Sequence, residues 1–490
     1  MRKKALCAVL SVAMVASMFA ACGSDSSSSS SSSKASSSSS ASDSASASTS
    51  TSDSSTPASS GDSSSSADPA PATKPNATMA APDVSGYTDA DKINVYLWDK
   101  DGEGKVQNII NQMGDAGKFI NIVNIGVGGQ DEQYISALNS ALEKNATAYA
   151  DVFLADEGVA KQWLESDKSL KIADLGITPD MYQDAYQYTI DYATWNGDLK
   201  GLSWQATPGV LCYRADIAKD VLGTDDPDEV SKKLATWDDF FTVAQQLKDK
   251  NYKIVSGTND IKYPIVNQRT EPWVKVDGTN ETLNLDSSLT TYAEYAKKLY
   301  DNDYTNQENQ WGTPWGAAMA DGNVFCYFGC TWFIGTMENN CGKDGKNFGQ
   351  WRVAVPSNGY YWGGTYMGVG AETKNKELAA YFVYCMCCDT DKMYNLGKDT
   401  GDFVNNHTAV SKLIADGAGK RDFLGGQNPL KTFSDAADTI KVNSTYLDGF
   451  ILGKIDDAST AYNKGELKSA DECLQFVKDE VKKSYSYIAQ

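Results

Sequence analysis

The segment from Trp195 to Asp216, WNGDLKGLSWQATPGVLCYRAD, constrains the fold more than any other part of the chain. Its Asn196-Gly197-Asp198 run is typical of a chain reversal, because Asn and Gly tolerate positive φ angles. A small-residue break at Gly201 and a Pro208-Gly209 pair then precede the apolar run from Val210 to Tyr213. We interpret this pattern as a strand, a bend and a second strand. Such a segment is expected where one α/β unit ends, the chain bends at a hinge, and a second unit begins.

The same segment resembles a known protein family. The run NGDLKGLSWQATPGVLCYRADIAKDVLG, followed by ATWDDFFTVAQQL, is similar to the hinge region of extracellular solute-binding proteins of ABC sugar importers, the maltose-binding-protein-like family. The resemblance implies an α/β, two-lobed, periplasmic-binding-protein-like (type II) fold with three interlobe crossings. The crossings are expected near residues 201–208, near residues 355–356, and between residues 400 and 435. The expected lobe limits are 84–203 plus about 357–425 for the first lobe, and about 204–356 plus about 426–490 for the second.

The N-terminus has the plan of a secretory signal. Three basic residues, Arg2 to Lys4, precede an apolar segment from Ala5 to Ala21, so residues 1–21 are predicted to be a signal peptide. The run Phe19-Ala20-Ala21-Cys22 resembles a bacterial lipobox, which implies that Cys22 is acylated and anchors the protein to the cell membrane. The alternative is ordinary secretion with an unmodified Cys22. In both cases the folded part is expected outside the cytoplasm.

Residues 22–83 are predicted to be a disordered tether. From Ser24 to about Asp83 the chain is Ser with scattered Ala, Thr, Asp and Pro, and it shows no apolar periodicity. A segment of this composition cannot bury a core. As a flexible coil of about sixty residues it would span roughly 45 Å root-mean-square, which would hold the folded part clear of the membrane.

Charge and rare residue types exclude several classes of function. The chain of 490 residues carries a formal net charge of −20, which disfavours nucleic acid and anionic lipid headgroups as partners and leaves the acyl anchor as the predicted membrane contact. His407 is the single histidine, so a metal site of nitrogen and sulfur ligands has little to draw on. We predict no metal and no cofactor, and we expect Cys385-Met386-Cys387-Cys388 to lie in the core. Eight cysteines follow Cys22, and their pairing is left open.

Two predicted strands of the first lobe end at or next to acidic residues. Residues 93–98 alternate apolar and polar and precede Asp99, while a short apolar strand starting at Asp151 ends at Asp156 and Glu157. Ligands of open α/β sheets bind at the carboxyl ends of the strands. The block ALEKNATAYADVFLADEGVAKQWLESDKSLKIADLG resembles the family, in which an acidic residue after this strand contacts sugar hydroxyls, and Asp156 matches that position. The alternative is that Asp156 only caps the following helix.

The second lobe offers aromatic residues after predicted strands. An apolar strand from Tyr263 ending in Glu-Pro-aromatic resembles the second lobe of maltose-binding proteins, which implies that Glu271 and Trp273 face the cleft. In the pattern AAMADGNVFCYFGCTW, the resemblance implies that Trp332 stacks on sugar.

The rest of the chain is organised by a return crossing and by helix starts. FGQWRVAVPSNGYYWGGTYMGVGAETKNKELAAYFVYCM resembles the return to the first lobe, with Val355-Pro356 as a second hinge strand and residues 360–364 as a loop at the cleft mouth. Thr236 and Ser469 begin patterns typical of capping boxes, so helices are predicted to start there. Another helix is predicted after Lys374.

Sugars present flat C–H faces and rings of hydroxyls, so a site for them needs aromatic planes and side chains that accept hydrogen bonds. Several tryptophans fall at the ends of predicted strands, which favours a cleft for the set, although core packing is the alternative for each one. The candidate ligand-binding residues are Trp98, Asp99, Asp156, Trp204, Glu271, Trp273, Trp315, Trp332, Trp362 and Gly363.

These observations predict a monomeric solute-binding protein, not an enzyme, that captures a sugar and delivers it to the permease subunits of an ABC importer. The abundance of aromatics favours an oligosaccharide, whose identity, linkage and length the residues do not specify. An extracellular glycoside hydrolase is one alternative, and it would need two carboxyl groups about 5–9.5 Å apart. A nucleophilic triad would have to use His407, which lies in a polar stretch without a nucleophile motif. The other alternative is a binder of the same fold for a peptide or another small solute.

Overall fold

The computed structural model describes residues 75–278 and 280–490. The predicted signal peptide (residues 1–21), the predicted acylation site Cys22 and the serine tract up to residue 74 lie outside the described residues. The described residues form a mixed α/β structure around two larger sheets.

Eight of the strands in the described chain belong to the two larger sheets, and four form two short hairpins. Their bounds are β1 (Ile93–Leu97), β2 (Ile120–Asn124), β3 (Val152–Asp156), β4 (Thr194–Trp195), β5 (Asp198–Leu199), β6 (Leu202–Ser203), β7 (Gly209–Arg214), β8 (Val274–Asp277), β9 (Asn280–Leu283), β10 (Cys326–Cys330), β11 (Trp351–Ala354) and β12 (Thr365–Val369).

Helices make up most of the remaining regular structure. Their bounds are α1 (Lys100–Gln112), α2 (Glu132–Ala141), α3 (Glu157–Leu164), α4 (Gln187–Ala193), α5 (Ala215–Leu222), α6 (Pro227–Lys233), α7 (Trp237–Asp249), α8 (Lys262–Val266), α9 (Ser287–Asp301), α10 (Thr313–Asp321), α11 (Phe333–Cys341), α12 (Lys376–Cys387), α13 (Thr390–Thr400), α14 (His407–Ala415), α15 (Leu430–Ala437), α16 (Asp448–Asn463) and α17 (Ala470–Ser484). Within the described chain, no helix combines the length and the apolar character that crossing a membrane requires.

The five-stranded sheet has the order β2-β1-β3-β12-β6. β1 pairs in parallel with β2 and β3, whereas β12 runs antiparallel to β3 and β6. The strands predicted from residue 93, around residue 120 and from residue 151 are thereby confirmed. Because β1 and β3 are parallel, their carboxyl ends lie at the same edge of the sheet, where Asp99 and Asp156 are found.

The three-stranded sheet has the order β10-β7-β11 and is antiparallel throughout. All residues of β7 and β10 are buried, since apolar strands at the centre of a domain are covered on both faces. We call the part of the structure built on the five-stranded sheet the first lobe, and the part built on the three-stranded sheet the second lobe.

The segment from Trp195 to Asp216 links the two sheets. Asn196 and Gly197 have φ angles of 52° and 82° at the tip of the β4–β5 hairpin, as their turn signal predicts. β6 then closes one edge of the first sheet, and β7 forms the centre of the second. The predicted strand, bend and strand are present, and the bend lies at residues 204–208.

Three stretches of chain meet at the boundary between the two sheets. These junction segments are residues 204–209, 360–364 and 402–405. Asn405 N donates to Trp204 O at 2.8 Å, and Gly209 N donates to Tyr360 O at 2.7 Å. The junction segments therefore satisfy one another's backbone polar groups, as buried backbone must.

The strand predicted from Tyr263 toward Trp273 is wrong. Residues Lys262–Val266 form helix α8, which continues a 3-10 turn at Thr258–Ile261. Pro264 lies in the first turn of this helix, where its missing N–H is tolerated. The apolar residues Ile265 and Val266, which were expected in a strand, are instead buried on this short helix.

The second hinge strand, predicted at Val355-Pro356, is also wrong. β11 ends at Ala354, and no strand resumes before β12 begins at Thr365. Pro356 has no backbone N–H with which to continue a sheet ladder. The return between the sheets is therefore made by non-strand backbone that includes residues 360–364.

The predicted helix starts are confirmed by their caps. Thr236 Oγ1 accepts a hydrogen bond from Asp239 N at 3.1 Å at the start of α7. Ser469 Oγ accepts one from Glu472 N at 3.2 Å at the start of α17. Asn375 caps α12. Side-chain oxygens at these positions pair N–H groups that the helix itself cannot satisfy.

Residues 75–83, which composition assigns to the tether, pack on the folded part. Ala77 N donates to Asp180 O at 2.9 Å, and Pro82 is buried. Met79 packs against the apolar core. Residues 75–83 therefore belong to the folded part, because these contacts offset the entropy cost of fixing them.

The eight cysteines of the described chain are all buried and none forms a disulfide. Cys385 and Cys387 lie on α12, whose residues from Leu378 to Cys387 are buried without interruption. Burial raises the pKa of the Cys387 thiol well above its usual value. The predicted core position of this cysteine run is confirmed, and its members pack as small apolar groups. Among the described residues, no group of three or more acidic, histidine or cysteine side chains is arranged to hold a metal ion.

Replacing Gly209 by Ala tests the packing at the junction. A Cβ at Gly209 would lie 2.2 Å from ring carbons of Tyr360, so Gly209→Ala is expected to lower the free energy of unfolding by about 1–3 kcal/mol. Urea denaturation measures this change. Gly86→Ala is the matched control, because Gly86 is exposed and no atom lies within 4 Å of its added Cβ. Equal stability of both variants would contradict the packing of Tyr360 against β7.

Candidate functional site

Two cavities lie between the lobes. We call the cavity of about 530 Å³ the first chamber. The cavity of about 800 Å³ is the second chamber. Asp156 of the first lobe and Trp332 of the second lobe line both, so the chambers meet at these two side chains. Each volume falls within the roughly 300–1,000 Å³ that is usual for small-molecule sites.

Two carboxylates of the first lobe line the first chamber from the ends of their strands. Asp99 Oδ1 accepts a hydrogen bond from Gly102 N at 2.8 Å and caps α1. Asp156 Oδ1 caps α3 by accepting from Gly158 N at 2.9 Å, and it also accepts from Gln130 Nε2 at 2.9 Å. Both bonds of Asp156 use Oδ1, so they leave Oδ2 for other partners. Burial raises the pKa of both carboxyls.

The buried Lys105 forms two ion pairs in the wall of the first chamber. Lys105 Nζ lies 2.6 Å from Asp101 Oδ2 and 3.1 Å from Asp402 Oδ2. Burial opposes its charged form, but the carboxylates of Asp402 and Asp101 hold the pKa of Lys105 above its usual value. The lysine therefore stays charged and ties helix α1 to the junction segment that contains Asp402.

The junction places two unpaired polar atoms inside the wall of the first chamber. Trp204 is 1% exposed and Gln205 is 5% exposed. Within the described chain, Trp204 Nε1 finds no acceptor and Gln205 Oε1 finds no donor. The amide of Gln205 is nevertheless fixed, because its Nε2 donates to Thr365 Oγ1 at 2.9 Å. Both atoms are almost completely sealed from solvent, so they lie within the wall of the chamber and not at its surface.

The second chamber has aromatic walls. Trp311 and Trp332 lie with ring centroids 6.1 Å apart and planes 19° from parallel. Trp362 stacks on Tyr263 with centroids 4.9 Å apart. Trp311 is 55% exposed, and its φ of 69° lies in the left-handed region that non-glycine residues rarely adopt. Strained backbone of this kind persists at functional sites, where it positions a side chain.

The charged groups that the second lobe places in the second chamber are paired. Arg269 Nη2 donates to Asp448 Oδ2, and Lys262 Nζ donates to Asp456 Oδ2. Tyr292 also donates its hydroxyl to Asp456 Oδ1 at 2.8 Å. These pairs neutralise the second-lobe wall while leaving it polar.

Glu157 of the first lobe faces this wall without a hydrogen-bonded partner among the described side chains. It follows Asp156 at the start of α3 and lines the second chamber. Burial first, and then the neighbouring carboxylates of Asp156 and Asp448, raise the pKa of Glu157 to about 8. The positive charges of Arg269 and Lys161 only partly oppose this rise. Glu157 is therefore a carboxyl that can donate as well as accept near neutral pH.

The two chambers bring together most of the residues singled out in the sequence. Those that line the first chamber, the second or both are Trp98, Asp99, Asp156, Trp204, Trp332, Trp362 and Gly363. Trp332 Nε1 donates to Trp362 O at 3.4 Å, so the second lobe touches the junction here. The loop predicted at the cleft mouth borders the chambers with Tyr361, Trp362, Gly363 and Gly364, and its aromatic residues are buried.

The structure places three other predicted residues away from the chambers. Trp273 is fully buried, donates to Asp286 Oδ1 at 3.0 Å and lies under the Arg269 guanidinium. Glu271 lies at the surface beside Lys275. The expectation that both residues face the cleft depended on a predicted strand, but that part of the chain forms helix α8. The predicted cleft positions of Glu271 and Trp273 are therefore wrong.

Trp315 is likewise a core residue of the second lobe. Its Nε1 donates to Asp260 Oδ1 at 2.9 Å, and burial raises the pKa of Asp260 to about 6 despite hydrogen bonds from Gly257, Trp315 and Ser256. Trp315 also contacts the Trp311 ring at 5.2 Å between centroids. It therefore supports the chamber wall from behind.

Sequence reasoning missed Trp311, Gln205, Lys105 and Asp402. A signal existed for Trp311, because the run Asn309-Gln310-Trp311-Gly312 puts an aromatic residue inside a polar turn. Lys105 and Asp402 carry no such signal, because their pairing joins residues distant in sequence.

The sequence was compared with known proteins. Residues 108–419, more than half of the chain, match a family model described as bacterial extracellular solute-binding protein. No curated protein matches the sequence.

Solved structures share the fold. An ABC transporter associated binding protein from B. animalis subsp. lactis Bl-04, in complex with β-1,6-galactobiose, has a TM-score of 0.63 and 19% identity, covering 82% of this chain and 100% of its own. The galacto-N-biose-/lacto-N-biose I-binding protein from Bifidobacterium longum, in complex with lacto-N-biose, has a TM-score of 0.63 and 17% identity, covering 82% and 99%. The sugar-binding protein MalE from Xanthomonas citri has a TM-score of 0.62 and 14% identity, covering 80% and 96%. These likenesses confirm the predicted two-lobed α/β fold.

The raised pKa of Glu157 makes stability depend on pH. Its pKa is about 8 in the folded protein against 4.5 for the free carboxyl, so the folded state binds more protons across this range and stability falls as pH rises through it. Glu157→Gln removes the ionisable group. As pH rises from 5 to 8, urea denaturation should show wild type losing stability relative to this variant.

Asp131→Asn is the control, because Asp131 is an exposed carboxylate of the same chamber and its replacement makes the same change in net charge. A pH dependence that Glu157→Gln leaves unaltered would contradict the assignment.

Proposed function

Because this chain belongs to the bacterial extracellular solute-binding proteins, we propose that it captures a carbohydrate, specifically an oligosaccharide, between its lobes and delivers it to an ABC importer. One observation carries the proposal: aromatic faces and carboxylates from both lobes line the same two chambers. Indole rings match the C–H faces of sugars, and carboxylates accept from their hydroxyls.

The residues proposed as ligand contacts are those that line the chambers. Trp332 and Asp156 stand where the chambers meet, one from each lobe. A ligand at this point would contact both lobes at once. The sugar complexes of the B. animalis and Bifidobacterium longum proteins, which have the same fold, support a carbohydrate as the ligand class.

Binding is proposed to favour closure of the lobes. The junction segments serve as the hinge, with three interlobe crossings and with lobe limits near those inferred from the sequence. Helix α16 of the second lobe already packs against α3 of the first. A ligand that contacts both lobes only in the closed form shifts the population toward that form.

The protein is proposed to act at the cell surface as a monomer. Cleavage of residues 1–21 and acylation of Cys22 would tether it to the membrane through the serine tract, and its closed form would dock on the permease subunits. The family supports an extracytoplasmic location. The anchor is testable by extraction into detergent and by loss of membrane association in Cys22→Ser.

We propose that the protein binds its glycan without hydrolysing it. Asp99 and Asp156 each use an oxygen to cap a helix, which favours positioning roles. A hydrolase would need one carboxyl as acid and another as nucleophile or base. We expect no new reducing ends to appear when the protein is incubated for a long time with a glycan that it binds.

A thermal-shift screen tests the function. A ligand that binds only the folded state raises the melting temperature with its concentration. We expect a concentration-dependent shift with at least one family of neutral oligosaccharides. Shifts with peptides alone would overturn the carbohydrate assignment, and released reducing ends would favour the hydrolase.

Trp332→Ala tests the stacking surface. Trp332 is partly exposed, so the variant should fold normally but bind the glycan found in the screen at least about tenfold more weakly, through loss of stacking and of apolar contact. Isothermal titration and thermal denaturation measure the two effects separately.

Trp273→Ala is the contrasting variant. Trp273 is buried in the core, so its truncation should cost about 3–5 kcal/mol of stability. The assignment of Trp332 fails if its truncation leaves affinity unchanged.

A further inference from the structure

We propose that closure of the lobes takes up a proton from solvent on Glu157, because the closed contact between α3 and α16 brings this carboxyl toward Asp448 of the other lobe. The proton favours closure at acidic pH, and its loss disfavours closure at alkaline pH. The inference rests on the proposed movement of the lobes and not on the identity of the ligand. It adds a chemical signal, the pH of the surroundings, to which the movement responds.

A pair of glycines forms the contact between the two helices. Gly158 lies on α3 of the first lobe, and Gly449 lies on α16 of the second. A Cβ built on Gly449 would lie 3.2 Å from the backbone oxygen of Gly158, so even a methyl group here would press the helices slightly apart. The two lobes approach this closely because glycine has no Cβ.

The carboxyls that adjoin these glycines come together across the contact. Glu157 directly precedes Gly158, and Asp448 directly precedes Gly449. Both carboxyls line the second chamber, and the negative charge of Asp448 acts on Glu157. The glycine contact thus brings together two acidic groups from opposite lobes. Two neighbouring carboxylates repel each other unless one of them holds a proton.

Asp448 is the member of this pair whose oxygens are already occupied. Its Oδ1 accepts from Thr445 N at 3.1 Å and from Thr445 Oγ1 at 2.7 Å, and its Oδ2 accepts from Arg269 Nη2. Arg269 Nε and Nη2 also donate to Asn443 O, at 3.3 and 3.2 Å. All these residues belong to the second lobe. Their hydrogen bonds favour the charged form of Asp448, which leaves Glu157 to take the proton.

The cations near Glu157 are committed to other carboxylates. Lys161, one turn further along α3, pairs with Glu165 at 2.7 Å, and Arg269 is paired within its own lobe. Asp156, which directly precedes Glu157, adds a further negative charge. The other titratable groups that act on Glu157 are the buried tyrosines Tyr192, Tyr263, Tyr361 and Tyr366. Burial raises the pKa of each tyrosine above its usual value, so their hydroxyls stay neutral.

The pKa of Glu157 agrees with this arrangement. In the closed contact, burial raises it first, and Asp156 and Asp448 raise it further, to about 8. Opening the lobes lets water reach the carboxyl and takes Asp448 away, so the pKa of Glu157 falls. The closed form therefore binds the proton more tightly, and closure weakens as pH rises through about 8. Each pH unit between the two pKa values changes the ratio of closed to open molecules by about tenfold.

The distance between the lobes measures closure without any ligand. Spin labels on cysteines introduced at Gln133 of α2 and Thr460 of α16, which are both exposed, give this distance by pulsed electron paramagnetic resonance. The eight cysteines of the described chain are buried, and Cys7 and Cys22 are replaced by Ser. As pH rises from 6 to 9, the ratio of the short to the long distance should fall at least about fivefold.

Three variants assign this change to the contact. Glu157→Gln removes the titrating group and should keep the short distance at both pH values. Glu132→Gln is the matched control, because Glu132 is an exposed carboxylate of the first lobe that lines neither chamber, and it should follow wild type. Gly449→Leu should show the long distance at every pH. Its added Cβ meets only Gly158 of the other lobe within 4 Å, so each lobe should fold.

The inference is overturned if Glu157→Gln retains the pH dependence of wild type, or if it shows the long distance at pH 6. It is also overturned if wild type keeps one ratio of distances from pH 6 to 9 while Gly449→Leu opens. If Gly449→Leu keeps the wild-type distance at every pH, the lobes do not move. The proposed closure then fails together with this inference, which is a distinct result.

Discussion

The hydrogen bonds among the three junction segments are the constraint on which the lobes and the chambers depend. These segments lie between two sheets, so their backbone groups have no full ladder to join and must find partners in one another. Asn405 shows the result: its backbone N donates to Trp204 O at 2.8 Å, while its side chain accepts from Tyr186 N and donates to Ser203 O beside the junction, each at 2.9 Å. With its backbone held in this way, the junction fixes Trp204 and Gln205 at the base of the first chamber.

Most charged side chains that line the two chambers form ion pairs within the wall of the same chamber. Lys105 bridges Asp101 and Asp402 in the first chamber, and the second-lobe carboxylates of the second chamber have cationic partners. Breaking one member of a buried pair would leave an uncompensated charge, so these groups hold the shape of the walls. Asp156 Oδ2, which takes no part in the two hydrogen bonds of Asp156, and the carboxyl of Glu157 are the groups in these walls that are left for a ligand.

Local signals were good predictors wherever the evidence was contained in a few neighbouring residues. The alternation from residue 93, the caps at Thr236 and Ser469, and the turn at Asn196 all act over less than two helical turns. The errors occurred where packing overrode propensity. The run after Tyr263 contains strand-forming residues but continues a 3-10 turn as helix α8, and this change of period carried Trp273 into the core and Glu271 to the surface.

The sequence by itself determined the α/β class, the position of the bend, the strand ends that carry Asp99 and Asp156, and the family resemblance, because each is recorded in contiguous residues. Only the tertiary structure decided which tryptophans face the cleft, since burial depends on the neighbours that a side chain meets and not on its own type. It also decided the pairing of Lys105 with Asp402 and the unpaired state of Trp204 Nε1. Hydrogen bonds and ion pairs between distant residues form only after the backbone has brought them together.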